Sequence, residues 1–390
     1  MSSSGINPLR ERTRRGLAID APTLVLVLSI VLLGLVMVTS ASITIAGRDG
    51  DAFAFLERQL LLVLIGAVAA AVTFAIPTAR LEQLALPLLL LAVLLLCAVL
   101  VPGLGHVVNG SRRWLRLAGM NFQVSEAARV LVLIYVASYA VRYEAALRGG
   151  LPGLFKPLAL LAAIALLLLL EPDFGAASVL FITGFGVLFL AGARWRWMLS
   201  MLLAAGGCMT LLVMFSSYRM RRMTAFMDPW ADPYNSGFQL TQSLIAIGRG
   251  GLFGVGLGAS VQKLFYLPEA HTDFLFAVLA EELGLVGVAV TLGLFLALAW
   301  RAFVIARRAN EAGLKFQSYL ASGFGLWLGV QAFINVGVNM GVLPTKGLTL
   351  PFMSYGRSSL IVTLAWLGVL LRVHHETVHG SRRQLRAERV

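Results

Sequence analysis

Charge is scarce in this chain. Only 13% of its 390 residues are Asp, Glu, Lys or Arg, against 58% hydrophobic residues, which argues against the two or three soluble domains that the length would otherwise allow. Cysteine is scarcer still: Cys97 and Cys208 lie in apolar runs with no CxxC or Cys/His spacing around them, so neither a disulfide framework nor a zinc site is suggested. A nucleotide loop is also missing. The stretch AIGRGGLFGVGLGAS has neither GxGxxG after a strand nor a Walker A ending, which leaves two readings, a tight backbone packed against helices or amides that touch a phosphate. Basic residues outnumber acidic ones by 32 to 19. In so apolar a chain that excess orients loops and meets anionic lipid, and no nucleic-acid role follows from it.

Long apolar runs are what the chain has in abundance. A crossing helix needs about 20 apolar residues, and runs at 21–45, 59–77, 84–102, 123–141, 155–171, 174–193, 196–216, 273–300, 316–341 and 356–373 qualify. The expectation is an all-α polytopic integral membrane protein of about ten transmembrane helices. The first run is too long for a signal-peptide core and is read as a retained span. An even number of crossings puts both ends on one side. Arg10, Arg12, Arg14 and Arg15 at the front and Arg382, Arg383, Arg386 and Arg389 behind make both termini cytoplasmic by the positive-inside rule. The domains expected are a basic cytoplasmic tail 1–20, a membrane domain 21–373 and a basic cytoplasmic tail 374–390. A large periplasmic loop, 217–272, joins helices seven and eight; its opening YRMRRMTAFM has the spacing of an interfacial helix.

Several cations fall on the outer side: Arg112, Arg113 and Arg116, then Arg219, Arg221, Arg222, Arg249 and Lys263 in the long loop. Positive charge kept there needs a reason, and an anionic ligand outside is one. Acids gather at LPEAHTDFLFAVLAEELG, which carries Glu269, His271, Asp273, Glu281 and Glu282. Thr272 or Asp273 capping a helix is the plain reading, and a reacting carboxylate is the other. A glycosidase-like pair within one helix is excluded, since Glu281 lies about 12 Å along the helix from Asp273 and working pairs stand closer than about 10 Å. Glu281 and Glu282 are expensive in lipid and are expected to face protein or a wet cavity. Glu126 and Arg129 stand at i and i+3, close enough to pair; a structural ion pair and a role in binding are both open. Gln331, Asn335 and Asn339 form a polar stripe, read as interhelical glue. Glu171 and Asp173 in EPDFG are read as helix-start chemistry.

Five segments then carry a resemblance: NGSRRWLRLAGMNFQVSEAARV (109–130), EPDFGAASV (171–179), DPYNSGFQLTQSLIAIGRGGLFGVGLGAS (232–260), LPEAHTDFLFAVLAEELGLVG (267–287) and LPTKGLTLPFMSYGRSSL (343–360). Together they resemble the SEDS family (shape, elongation, division and sporulation; the RodA and FtsW proteins), and PTKGLTLP leans toward its division branch. Three positions depart from the family pattern: Val124 replaces a usual Pro, Arg129 a Lys, and Arg357 a Gly. Arg keeps the charge at 129 but not the point-like geometry, which makes a catalytic proton role there doubtful.

The resemblance implies an inverting peptidoglycan glycosyltransferase. It would join lipid II, the undecaprenyl-pyrophosphate disaccharide-peptide, into β-1,4-linked glycan strands at the outer face of the cytoplasmic (inner) membrane, at the division septum. It also implies a class B penicillin-binding protein transpeptidase and other divisome membrane proteins as partners. Asp273 in the family's HTDF motif would be the base or its orienter. Glu126, Arg129 and His271 would line the substrate cavity, and Arg219, Arg221, Arg222, Lys263 and Lys346 would meet the pyrophosphate. No cofactor is certain; a divalent metal, Mg or Mn, at Asp273 stays open, because substrate phosphates could complete its shell. A lipid II flippase and a scaffold recruiting the penicillin-binding protein are the competing classes. A flippase site is expected near the midplane, often with inverted repeats, and a scaffold has no need of Asp273.

Overall fold

The computed structural model describes residues 17–48, 51–108, 111–117, 120–215, 220, 226–235, 237–345 and 347–387. Each of the ten apolar runs becomes a helix. These are α1 (Ala21–Arg48), α2 (Ala54–Ala75), α4 (Ala85–Leu100), α5 (Val124–Arg142), α7 (Leu151–Leu170), α8 (Phe174–Leu190), α9 (Trp195–Met214), α11 (Leu275–Glu311), α12 (Lys315–Asn339) and α13 (Arg357–Ala387). Among the described residues α1, α2, α5, α7, α11, α12 and α13 are long and apolar enough to cross a membrane, and α4 and α8 are shorter apolar helices. Short helices α3 (Thr78–Gln83) and α6 (Glu144–Gly149) turn the chain between spans, and α10 (Phe238–Gly250) lies inside the long loop. The protein is a multi-pass, mainly helical membrane protein. Leu, Ala and Val on all sides suit helices that meet lipid on one flank and protein on the other: α4 buries Leu89, Ala92 and Leu96 while Leu90 and Leu94 face outward. α13 packs along α2, and α11 packs against α12, α10 and α1.

Three features differ from the expectation. The connection from α4 to α5 contains a three-stranded antiparallel sheet, β1 (Gly105–Val108), β2 (Ser111–Leu117) and β3 (Met120–Gln123), in the order β1-β2-β3. Alternation in SRRWLRL explains it: Leu115 pairs with Phe122 and both pack against the core, as period two requires. β3 runs directly into α5. Second, α13 continues through residues 374–387, which were read as tail; Arg372 bonds Glu376 one turn on.

The third difference is a break in α11 at Gly284 (φ 63°, ψ −162°). Here the glycine-rich stretch after α10 inserts: Val255 N–H and Gly256 N–H donate to the carbonyls of Glu281 (2.9 Å) and Glu282 (3.1 Å), while Leu285 N–H returns a bond to Gly251. A Cβ on Gly284 would lie 2.3 Å from Gly254 N, and one on Gly254 2.0 Å from Glu282 O. Both have positive φ, so only glycine fits the crossing. These amides therefore bond to helix carbonyls, and the packed-backbone reading of the glycines holds.

Hydrogen bonds also sort the connections by face. Asp20 before α1 accepts from Arg301 near the end of α11, and Ala18 N–H donates to His375 on α13. Thr78 of α3 bonds Glu376, Gln317 of α12 bonds Thr78, and Lys315 pairs with Glu144 of α6. The start of α1, the end of α13 and the even-numbered turns thus share one side, as ten crossings demand. The sheet, the α7–α8 hairpin, the long loop and the α12–α13 connection share the other.

Candidate active site

Asp273 sits on that second side, just ahead of α11. Neither plain helix-capping reading applies. The N-cap residue is Phe274 and has no side-chain cap bond, and the Thr272 hydroxyl is engaged by Glu269 at 2.8 Å. The polar stripe of α12 does the capping instead. Asn339 Oδ1 accepts from Ala277 N–H (3.2 Å), and the side-chain amides of Asn339 and Asn335 donate to the Asp273 carbonyl (3.0 and 2.9 Å). Asn335 also donates to Leu348 O, and Gln331 to Thr349 O. The stripe is glue between a helix and two loops. It fixes the Asp273 backbone beside the α12–α13 connection, where a Cβ on Gly347 would lie 3.0 Å from Asp273 Oδ2.

With its backbone held and no helix amide bound, the carboxylate has no hydrogen-bond partner among the described residues. Burial pushes its pKa up; the nearby charges of Glu269 and Asp173 add to the rise and Arg113 opposes it, leaving it at about 7. That is where a general base working near neutrality is most effective.

Around it stands a polar frame from five elements. Asp173 caps α8 through Ala176 N–H (3.0 Å), as the hairpin chemistry predicts. Its other oxygen accepts from Ser125 Oγ (2.9 Å) and Gln123 Nε2 (3.1 Å) and lies 3.9 Å from Arg113 on β2. Ser358 at the start of α13 accepts from Gln123 N–H (2.8 Å). Glu171 is fully buried, and neither of its oxygens has a hydrogen-bond partner. Burial and the charge of Asp173 raise its pKa to about 8, so it is mostly protonated at pH 7. Arg113 is thus the described cation that acts on Asp273. The excess of positive charge on the outer side pointed to its segment and EPDFG marked Asp173 as a helix start, but nothing in one sequence singled out Arg113 or Gly347 or joined them to Asp273.

The other candidates fall differently. Glu126 and Arg129 form an ion pair that is 5% and 1% exposed, and Arg129 also donates to Gln331 (2.9 Å). They brace the stripe from inside the bundle. Lys263 is enclosed as well. Its Nζ is buried between Glu282 Oε1 (2.8 Å) and Ser40 Oγ (2.9 Å), so its charge is neutralised before any pyrophosphate arrives. Glu281 accepts from Ser260 and from Val261 N–H (3.1 Å), which gives both acids the structural role that lipid demands of them. His271 packs edge-on to Phe55 (5.0 Å) and near Tyr355 (5.7 Å); burial lowers its pKa, so it is neutral at pH 7. Arg219, Arg221, Arg222 and Lys346 lie outside the described residues. Among those described, no three His, Cys, Asp or Glu side chains converge to hold a metal. Among the described residues, a divalent ion at Asp273 would have to complete its shell with substrate phosphates.

The family described as cell cycle protein, which groups FtsW, RodA and SpoVE, matches residues 21–379. A probable peptidoglycan glycosyltransferase FtsW of Thioalkalivibrio sulfidiphilus is 57% identical over 357 residues, 91% of this chain and 89% of that protein. The protein of the same name from Coxiella burnetii is 50% identical over 92% of this chain and 96% of its own length. Among solved structures, a chain described under "Structural coordination of polymerization and crosslinking by a peptidoglycan synthase complex" aligns with a TM-score of 0.75 at 34% identity, over 93% of this chain and 99% of its own. The rod shape determining protein RodA of Thermus thermophilus aligns with a TM-score of 0.67 at 34% identity, over 92% and 98%.

Proposed function

This chain belongs to the FtsW, RodA and SpoVE family of cell cycle proteins, and from that premise we propose that it is a peptidoglycan glycosyltransferase whose general base is Asp273. The substrate is lipid II, polymerised at the outer face of the cytoplasmic membrane during septal wall synthesis, alongside a class B penicillin-binding protein and other division proteins. One observation carries the assignment: Asp273 is a carboxylate with a fixed backbone, no capping duty and a pKa of about 7, on the side of the membrane opposite the termini.

The chemistry asks for one base. The acceptor sugar's 4-hydroxyl attacks the anomeric carbon of the donor, the bond from that carbon to the pyrophosphate oxygen breaks, and the configuration inverts. Asp273 takes the hydroxyl proton as the new bond forms and later releases it to water. Pyrophosphate leaves without a dedicated acid when cations meet its charge. Arg113 is placed for that work, with the loop arginines Arg219, Arg221 and Arg222 as further candidates. Glu126, Arg129 and Lys263 act as braces.

The test is reconstitution in vesicles with the penicillin-binding partner, its transpeptidase disabled, and lipid II supplied outside. Glycan strands from the native chain and none from Asp273→Asn are expected. Lipid movement without strands, unaltered by the substitution, would make the chain a flippase; neither activity would leave a scaffold.

A further inference from the structure

A groove of about 370 Å³ runs down the outer surface of the bundle between α8 and α12. Its upper end is formed by Gly175, Leu343 and Pro344, and its lower end by Ile182 and Val330. From Gly175 to Ile182 is seven helical residues, roughly 10 Å along the axis, so the groove descends from the level of the site into the apolar layer. Its lining is apolar throughout. Ser178 is the one polar side chain in it, and its hydroxyl is turned onto the Phe174 carbonyl (2.8 Å).

The upper end of the groove lies close to the frame around Asp273. Gly175 stands two residues after Asp173, and a Cβ there would press on Leu348 (2.8 Å), whose carbonyl Asn335 holds together with that of Asp273. Ile334, also in the lining, is the neighbour of Asn335. A chain lying in the groove would have its upper end near the level of Asp273.

We propose that this groove seats the first isoprene units of the polyprenyl chain of the lipid-linked substrate. The inference rests on the glycosyltransferase reading and deepens it. Because bulk lipid is as apolar as the groove, no hydrophobic gain accompanies entry; selectivity comes from packing of a branched chain against a shaped wall. Packing gains of this kind are on the order of 1 kcal/mol, or about fivefold in binding. Their main use is to hold the pyrophosphate end at the depth of Asp273.

Two measurements test it on the full chain with its partner. First, Ser178→Phe and Val330→Trp, which fill the groove, are assayed with lipid II carrying undecaprenyl and with an analogue carrying a single isoprene unit. The expected result is a KM raised about fivefold for undecaprenyl, kcat nearly unchanged, and no difference between native and variants with the short analogue. Second, lipid II with a photoreactive group on its third isoprene unit is irradiated with the native protein, and crosslinks to α8 and α12 are expected by mass spectrometry. Crosslinks confined to other helices, or unchanged KM in both filled variants, would overturn the groove. So would loss of the penicillin-binding partner from the filled variants with KM unchanged, since the groove would then hold a protein helix. Failure of the native chain to make strands from either lipid would instead strike the glycosyltransferase reading, and the crosslinks remain readable in that case.

Discussion

Two aspartates, Asp20 and Asp273, sit at opposite ends of the same bundle, each just ahead of a long helix, and burial treats them alike while their partners do not. At Asp20 burial pushes the pKa up, but hydrogen bonds from Arg301 and Thr23 outweigh it and bring the pKa from 3.8 down to about 2. At Asp273 no such donors answer, and the pKa rises to about 7. The termini side is a closed set of pairs, in which Asp20, Glu376 and Glu144 each accept from a cation. Across the membrane, Asp273 is uncapped, Glu171 unpartnered and Arg113 Nε without an acceptor. The termini side uses these polar groups to lock the bundle, and around Asp273 several described groups lack such partners, the setting that the proposed proton transfer calls for.

The largest effect expected is at the open side. Asp273→Asn lowers kcat by about 10²–10⁴, measured as strand synthesis per enzyme. It also raises thermal stability above pH 7, because the native carboxylate is destabilised by ionising: its penalty begins above the ordinary Asp pKa and is complete once pH passes about 7. At pH 4 native and variant melt together. Native activity should rise with pH through about 7, since the ionised form is the base. A variant that is both inactive and less stable at pH 8 would break the contrast.

The second effect tests the closed side. Asp20→Asn leaves turnover intact and costs on the order of 2 kcal/mol of stability at neutral pH, read from thermal unfolding in micelles. The sign is opposite to that of Asp273. A depressed pKa gives stabilisation that is fully present above about pH 4 and fades as pH falls through about 2. The native melting temperature should therefore drop across that window, and the variant's should drop less.

A third, smaller effect separates Arg113 from the braces. Arg113 lowers the pKa of Asp273, so Arg113→Gln should shift the acid limb of the pH–activity profile upward. It should also cut turnover about tenfold, below the roughly 10²–10³ lost with a dedicated oxyanion donor. Arg113→Lys should restore part of both. Lys263→Gln, which strands Glu282 in the buried pair, should lower stability and leave that pH limb where it is.

What could be read beforehand follows the same division. Helices show in sequence because each span must satisfy its own backbone in lipid, and all ten apolar runs became helices. The candidate base, Asp273, was legible as an acid in an apolar stretch at a helix start. Its surroundings were not, because they are assembled from distant segments: Arg113 from a strand, Asp173 from a hairpin, Asn335 from the far end of α12. The partner of Lys263 was hidden for a related reason. The lysine's positive charge on the outer side suggested a phosphate, and its neutralising partner, Glu282, became visible only where α11 breaks at Gly284.

The smallest effect expected is the sharpest test of position. Gly347 has an ordinary backbone but faces Asp273 Oδ2, and a methyl there would sit 3.0 Å from it, tight enough to move the carboxylate by a few tenths of an ångström. The Asp273 backbone is pinned by Asn335 and Asn339, so the side chain has to rotate away. Gly347→Ala should then lower kcat about threefold, a modest share of what misplacing a catalytic group by 1 Å can cost. Binding should be little changed, because no described cation moves. Releasing the pin with Asn335→Ala in the same chain should recover part of the loss, since the loop can then yield instead of the carboxylate. If the pair instead behaves additively, Gly347 acts on substrate directly, and the carboxylate is not held against that loop.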